Sequence, residues 1–268
     1  MTLARPSETP MPGTSTPSAP IANLIAVASG KGGVGKTWLS IGLATAFARL
    51  EQRTLLFDGD LGLANVDVQL GLTPEHDLGG VLQGRYGMEN ATTAVKEAGF
   101  EVIAGRSGSG SLAALDGQRL GRLASDLATA AGRYDRVLLD LGAGIERTVR
   151  FLASRAQTCL VVTNDEPTAL TDAYAFIKLL AMSRPGADLR VVVNMAGSKA
   201  EGERTYGTLR KACESFLKIS PPLAGIVRRD SHARDAIRSQ APLLVRHPNA
   251  PSAQDIEAIA RELLFPLK

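Results

Sequence analysis

One stretch of eight residues constrains this chain more than any other: GKGGVGKT at 30–37, which directly follows the apolar run LIAVAS (24–29) and opens the helical run TWLSIGLATAFARL. Four glycines in eight residues let the backbone curl until successive N–H groups point inward, next to the positive end of a helix dipole. Such a loop is built to hold phosphate. Gly30, Lys31, Gly32, Gly33, Val34, Gly35, Lys36 and Thr37 are therefore the candidate phosphate-binding residues. Trp38 closes the nucleotide-binding segment, with its indole read as packing on the first helix. Lys36 is placed to reach the β- and γ-phosphates and the Thr37 hydroxyl to bind Mg²⁺. ATP and Mg²⁺ are the expected ligands. A glycine-rich turn that holds GKT by accident would need neither the strand before it nor the helix after it.

The remainder of the chain supplies a frame for such a loop. From residue 22, short apolar runs at 24–29, 53–58, 100–105, 135–140, 158–163, 189–194 and 222–227 alternate with helical patterns at 36–50, 116–131, 145–155, 167–182, 200–217, 231–239 and 253–264. Most of the runs are apolar without alternation, as strands are when helices cover both faces of a parallel sheet. The expectation is a doubly wound α/β fold of the P-loop NTPase kind, with a mostly parallel sheet, over residues 22–268. A length of 268 residues with 44% hydrophobic content suits one large domain better than two average ones. Residues 1–21, mostly Pro, Ser, Thr, Ala and Gly, are expected to form a disordered tail. That segment has one Arg and no continuous apolar run, and no later stretch approaches the ~20 apolar residues of a membrane span. A cytoplasmic protein is expected. The net charge of +3 gives no argument for nucleic acid. Cys159 and Cys213 are too far apart for a CxxC unit and read as buried packing residues, and His76 has no ligand spacing to another histidine.

Acidic residues stand where open α/β sheets bind ligands, at the carboxyl ends of strands. FDGDLGLANVDVQLGL places Asp58 and Asp60 after the second run, and their i, i+2 spacing can aim two carboxylates at one cluster of Mg²⁺ and water. The blander reading is a pair of turn acids. DRVLLD ends at Asp140 and enters LGAGIE, a Walker B pattern in which Asp140 holds Mg²⁺ through water, opposite the Thr37 hydroxyl. Its alternative is a helix cap. Thr37, Asp58 and Asp140 form the candidate metal set. Asn194 ends LRVVVN, and its amide can both donate to and accept from a purine edge, or else cap the strand. No NKxD guanine signature follows it, which favours ATP over GTP.

With these motifs in place, the chain resembles the MinD/ParA family of deviant Walker A ATPases, SIMIBI-class P-loop NTPases with a MinD-like fold, over residues 25–264. KGGVGKT is similar to the family's phosphate loop, DGDLGLANVD to its switch I and LGAG to its switch II. The resemblance implies that Lys31 reaches across a dimer interface to the partner's nucleotide, with the electrostatic logic of an arginine finger. It implies that Asp60 orients or polarises the attacking water, which makes Lys31, Lys36 and Asp60 the candidate catalytic residues. Asp58 would help to order the waters of Mg²⁺, and residues 62–72 would sense the γ-phosphate. Two positions depart from the family pattern: Leu141 stands where a small polar residue is usual, and Met195 where a basic residue often follows the Asn.

The segments DGDLGLANVDVQLGL and EPTALTDAYAFIK look most like the branch that controls flagellar number and placement (FlhG, also called FleN or YlxH). That likeness implies an ATP-gated sandwich homodimer that captures partners when ATP-bound and releases them after slow hydrolysis. The partners it implies are an FlhF-like GTPase, flagellar switch proteins or a transcriptional activator. The N-terminal segment lacks the DQAxxLR helix by which some members stimulate the GTPase.

Two regions bear on competing readings. SAQDIEAIARELLFPLK places Ile256, Ile259, Ala260 and Leu263 on one stripe suited to core docking. Asp255, Glu257, Arg261 and Glu262 fall on a polar face that anionic lipid would repel, so attachment at the inner face of the cell membrane is a secondary expectation. Arg228, Arg229, Arg234, Arg238 and Arg246, with His232 and His247, make 228–247 locally basic and read as a solvated face. DNA is not an expected partner. A partitioning or division-site ATPase, resting on that region, is the runner-up. From another class, a ligase that activates a carboxylate with ATP would need a substrate-side acid and base or an amidase nucleophile, and no Cys–His motif supplies one. An iron–sulfur carrier is excluded by the cysteine count.

Overall fold

Strands buried on both sides must place alternate residues in different layers, and the structure, a computed structural model describing residues 19–105 and 115–265, shows this sorting. The elements in chain order are β1 (Ile21–Ser29), α1 (Lys36–Arg49), β2 (Thr54–Gly59), α2 (Val66–Leu70), α3 (Leu78–Leu82), β3 (Thr92–Val95), β4 (Phe100–Ile103), α4 (Gly117–Ala131) and β5 (Arg136–Ala143). There follow α5 (Arg147–Arg155), β6 (Ala156–Thr163), α6 (Pro167–Ser183), β7 (Asp188–Ala196), α7 (Lys199–Ala212), β8 (Leu223–Arg228), α8 (Ser231–Arg238), α9 (Leu243–Arg246) and α10 (Pro251–Leu264). Leu24, Ala26 and Ala28 of β1 face one core with Leu55 and Phe57 of β2 and Val137 and Leu139 of β5. Ile25, Val27, Leu56 and Leu138 face the other. Helices α4, α5, α6 and α7 cover the first layer, and α1, α2, α8, α9 and α10 cover the second.

The sheet runs β3-β4-β2-β5-β1-β6-β7-β8. Every neighbouring pair is parallel except β3 with β4, an antiparallel pair at the edge. This is the doubly wound, mostly parallel sheet that the apolar runs predict. From β1 the chain passes to β2 and on to β3 and β4 at one edge, returns to β5 between β2 and β1, then crosses to β6, β7 and β8 on the other side. The carboxyl end of β1 therefore lies at the reversal of strand order, the usual ligand position in such sheets.

Among the described residues β3, α2, α3 and α9 escape the sequence reading, as does a 3-10 turn at Met88–Ala91. Each has only four or five residues, too few to display a period. The helix expected over 200–217 is α7 followed by a π-helical turn at Cys213–Leu217. Ile21 already belongs to β1, one residue before the expected domain start, and residues 1–18 of the expected tail lie outside the described residues. Cys159 and Cys213 are both buried and free.

The apolar stripe of α10 is used inside the fold. Ile256, Ile259 and Ala260 are buried, and Gly42 of α1 leaves room for Ile256, whose Cδ1 would lie 2.9 Å from a side-chain Cβ there. Asp255 corrects the amphipathic reading of this helix. It is buried rather than on a solvent face, because Arg228 meets it at 2.8 Å and Lys199 at 3.5 Å. Among the described residues no helix is long and apolar enough to cross a membrane.

Candidate nucleotide site

The loop between β1 and α1 owes its shape to its glycines for two different reasons. Gly33 and Gly35 have φ of 81° and 85°, the left-handed region that costs an L side chain roughly 1–2 kcal/mol. Gly30 is needed for space: a Cβ there would collide with the backbone carbonyl of Asp172 on α6. The Ser29 hydroxyl donates to the Lys31 carbonyl, and the Asn194 amide donates to the Val34 carbonyl at 2.8 Å. Asn194, only 2% exposed, also accepts from the Met195 N–H at 2.9 Å. The residue expected to read adenine thus also braces the loop against β7. One amide hydrogen and one oxygen lone pair are left for a base.

Lys36 opens α1 and is 8% exposed. Burial lowers its pKa, while the charges of Asp140 and Asp60 pull it back up. Asp140 lies opposite Asp58 in the β5/β2 register, so two carboxylates are buried side by side. Asp140 accepts a hydrogen bond from the Ser40 hydroxyl at 2.9 Å, and the Thr37 side chain also favours its charged form. Sequence reasoning missed Ser40, although it stands three residues beyond Thr37 and hence on the same helical face. Asp58 accepts from the backbone N–H groups of Asp60, Asn65 and Val66, each at 3.2 Å, and so ties down the start of α2. Asp60, half-buried, accepts from Gly62 and Leu63 N–H at 3.2 and 2.9 Å. It lies against Gly142, where a Cβ would be 3.2 Å from its Oδ1. Leu141 is buried in the first core and brings no polar group to this turn.

Lys31 points elsewhere. Its Nζ is 2.6 Å from Glu166 and 2.8 Å from the Thr168 hydroxyl, at the N-terminus of α6. The same contact holds the Glu166 carboxyl below the usual range. Neither partner was anticipated, since each lies more than 130 residues along the chain from Lys31. The arginines of 228–247 are partly neutralised: Arg228 is paired with Asp255, and Arg246 and His247 with Asp235. His76 lies edge-on to Tyr86, with ring centres 4.4 Å apart.

Beside the loop opens a cavity of about 650 Å³, lined by Gly33, Gly35, Trp38, Asn194, Met195 and several residues between 228 and 237. Three observations at and around the loop test the site for a nucleotide with Mg²⁺. The left-handed glycines shape a cradle beside a buried lysine. The Trp38 Nε1–H is buried without an acceptor among the described residues. Asp58 and Asp140 present adjacent buried carboxylates. Among the described residues no three His, Cys, Asp or Glu side chains converge on a metal position. Mg²⁺ needs no such cage, because it is commonly held by one or two carboxylates together with substrate phosphates and water. The residues fit the pair.

Burial, and then the charge of Asp140, pushes the Asp58 carboxyl up to about 8. Burial pushes Asp140 up to about 6, against the pull of Thr37, Ser40 and Lys36. Between the ordinary value of 3.8 and about 8, the folded chain therefore keeps a proton on Asp58 that the unfolded chain has released. Stability falls with rising pH wherever the folded state binds more protons. Thermal melts of nucleotide-free, metal-free protein should show a Tm that declines from pH 5 to pH 8.5. Asp58→Asn should flatten that decline, whereas a Tm rising across the window would contradict the buried-acid account.

Fold and site together define a P-loop nucleotide-binding protein. Residues 25–243 match the family model described as the CobQ/CobB/MinD/ParA nucleotide binding domain, and the chain belongs to that family. The antiactivator FleN of Pseudomonas aeruginosa is 36% identical over 240 residues, covering 90% of this chain and 85% of FleN. The flagellum site-determining protein YlxH of Helicobacter pylori is 30% identical over 245 residues, covering 91% and 82%. A chain of the MinC:MinD cell division protein complex of Aquifex aeolicus superposes with a TM-score of 0.73 at 29% identity, covering 92% of this chain and 99% of that one. The family and fold implied by the sequence motifs both hold.

Proposed function

We propose that this chain is a dimerising regulatory ATPase that controls flagellar number or placement. The observation that carries the reading is the second lysine of the loop. Lys36 already supplies the buried cation beside Asp140 and Asp60, while Lys31 projects sideways and is held by an ion pair to Glu166 and a hydrogen bond to the Thr168 hydroxyl at the edge of α6. A half-exposed ion pair of this kind contributes about 0–1 kcal/mol, so Lys31 is readily released to an incoming anion. A nucleotide on a second copy of the chain is that anion. The names of the relatives FleN and YlxH support the flagellar assignment.

ATP with Mg²⁺ supplies the phosphoanhydride to be cleaved and the charge that the loop neutralises. Gly33 and Gly35 shape the backbone around the phosphates, Lys36 balances their charge, and Thr37 and Asp140 hold the cation with Asp58 behind them. Asp60, tethered to the N–H groups of residues 62 and 63, orients water and couples its own position to that segment. Turnover is slow and set by partners: an FlhF-like GTPase, a flagellar switch protein or a transcriptional activator, the last in keeping with the antiactivator name of FleN. The protein works in the cytoplasm, and any contact with the membrane face uses residues other than the buried stripe of α10.

Light scattering of purified protein tests the dimer: molecular mass should double with ATP and Mg²⁺ but not with ADP, and an unchanged mass would overturn it. Flagella counted on cells lacking the gene test the biological role. Normal flagellation with faulty chromosome or septum placement would instead support the partitioning reading.

A further inference from the structure

We infer that Trp38 is the residue that holds the nucleoside of the bound nucleotide, as distinct from its phosphates. The inference rests on the nucleotide-binding reading above and refines it. Trp38 is the chain's single tryptophan and stands on the first turn of α1, two residues past Lys36. It is also the one aromatic side chain among the described residues lining the cavity beside the loop. The cavity is also lined by Gly33 and Gly35 of the loop, by Asn194, which lies against Gly35, and by residues from Arg228 to Ile237. Two of the polar groups lining it are already bonded. Asn194 is bonded to Val34 and Met195, and Arg228 is paired with Asp255. The indole is left as the largest flat apolar surface available to a base or sugar.

The indole nitrogen limits how that contact is made. The Nε1–H of Trp38 is buried with no acceptor among the described residues, an arrangement that proteins rarely tolerate without a reason. With that N–H closed to solvent, what the indole offers a nucleoside is an aromatic face rather than a hydrogen bond. Contact with an aromatic face is tolerant of base identity and changes affinity about tenfold to a hundredfold. Trp38 therefore sets how tightly a nucleoside is held, and the spare hydrogen and lone pair of Asn194 bias which one.

Titration calorimetry of the full chain with ATP, and separately with inorganic tripolyphosphate, both with Mg²⁺, isolates this contribution. The wild type should bind ATP at least tenfold more tightly than tripolyphosphate, and its tryptophan emission should change more with ATP. Trp38→Leu, which fills space without an aromatic face, should lose about tenfold or more for ATP while tripolyphosphate affinity stays within about twofold. Trp38→Phe should keep most of the ATP affinity. Equal weakening of both ligands, or unchanged ATP affinity in Trp38→Leu, would show that the indole merely packs. If the wild type bound tripolyphosphate as well as ATP, the inference would fail while the phosphate site stood. Binding of neither would overturn the nucleotide reading together with it.

Discussion

Lys36→Ala should weaken ATP binding at least a hundredfold in titration calorimetry. Hydrogen bonds from a charged donor contribute roughly 1.5–3 kcal/mol each, and a phosphate chain can accept more than one from an ammonium, so losing them removes two or more decades of affinity. The site also loses its internal counter-charge. With the lysine gone, Asp140 and Asp60 face each other without a nearby protein cation, and the nucleotide's own negative charge adds to the imbalance. Arginine should not restore binding, since a planar guanidinium does not fit the space of a buried ammonium. Circular dichroism should report an intact fold in Lys36→Ala. ATP affinity within tenfold of wild type would remove Lys36 from the phosphate site.

Asp60→Ala should separate binding from turnover. A side chain that orients water or accepts its proton typically contributes 10²–10⁴-fold, so hydrolysis should fall at least a hundredfold with ATP affinity within a few-fold. The ATP-bound dimer should then accumulate in light scattering. Alanine also frees the N–H groups of Gly62 and Leu63, and a loosened loop could by itself slow the reaction. Asp60→Asn keeps an acceptor for both amides while removing the charge. If the asparagine variant is as slow as the alanine variant, the carboxylate acts on water; if it hydrolyses ATP normally, Asp60 only shapes the loop.

The sheet was legible because β1, β2 and β5 carry unbroken apolar runs at 24–28, 55–57 and 137–139, as strands do when helices cover both faces. The short β3, α2, α3 and α9 carry no such signal, because their places are set by packing against neighbours distant in sequence. The loop and the three aspartates were legible for a local reason: each stands at the end of an apolar run, and the structure brings those ends together. Ser40 was accessible to the same logic, through helical spacing from Thr37. Glu166 and Asp172 were not. Their nearness to Lys31 and Gly30 follows from how α6 packs beside the loop, which no spacing in the chain records. Asp255 shows the converse failure: helical periodicity assigned it to water, but Arg228 and Lys199 draw it inside.

The bond from Asn194 to the Val34 carbonyl carries a kinetic consequence. A loop already pinned to β7 before a nucleotide arrives has little freedom left to surrender, so capture does not wait for the loop to find its shape. Encounter rates for different nucleotides then lie close together, and preference among them is expressed as residence time. On the regulatory reading proposed above, in which partners read the nucleotide the molecule carries, the dwell of that nucleotide is the length of the message.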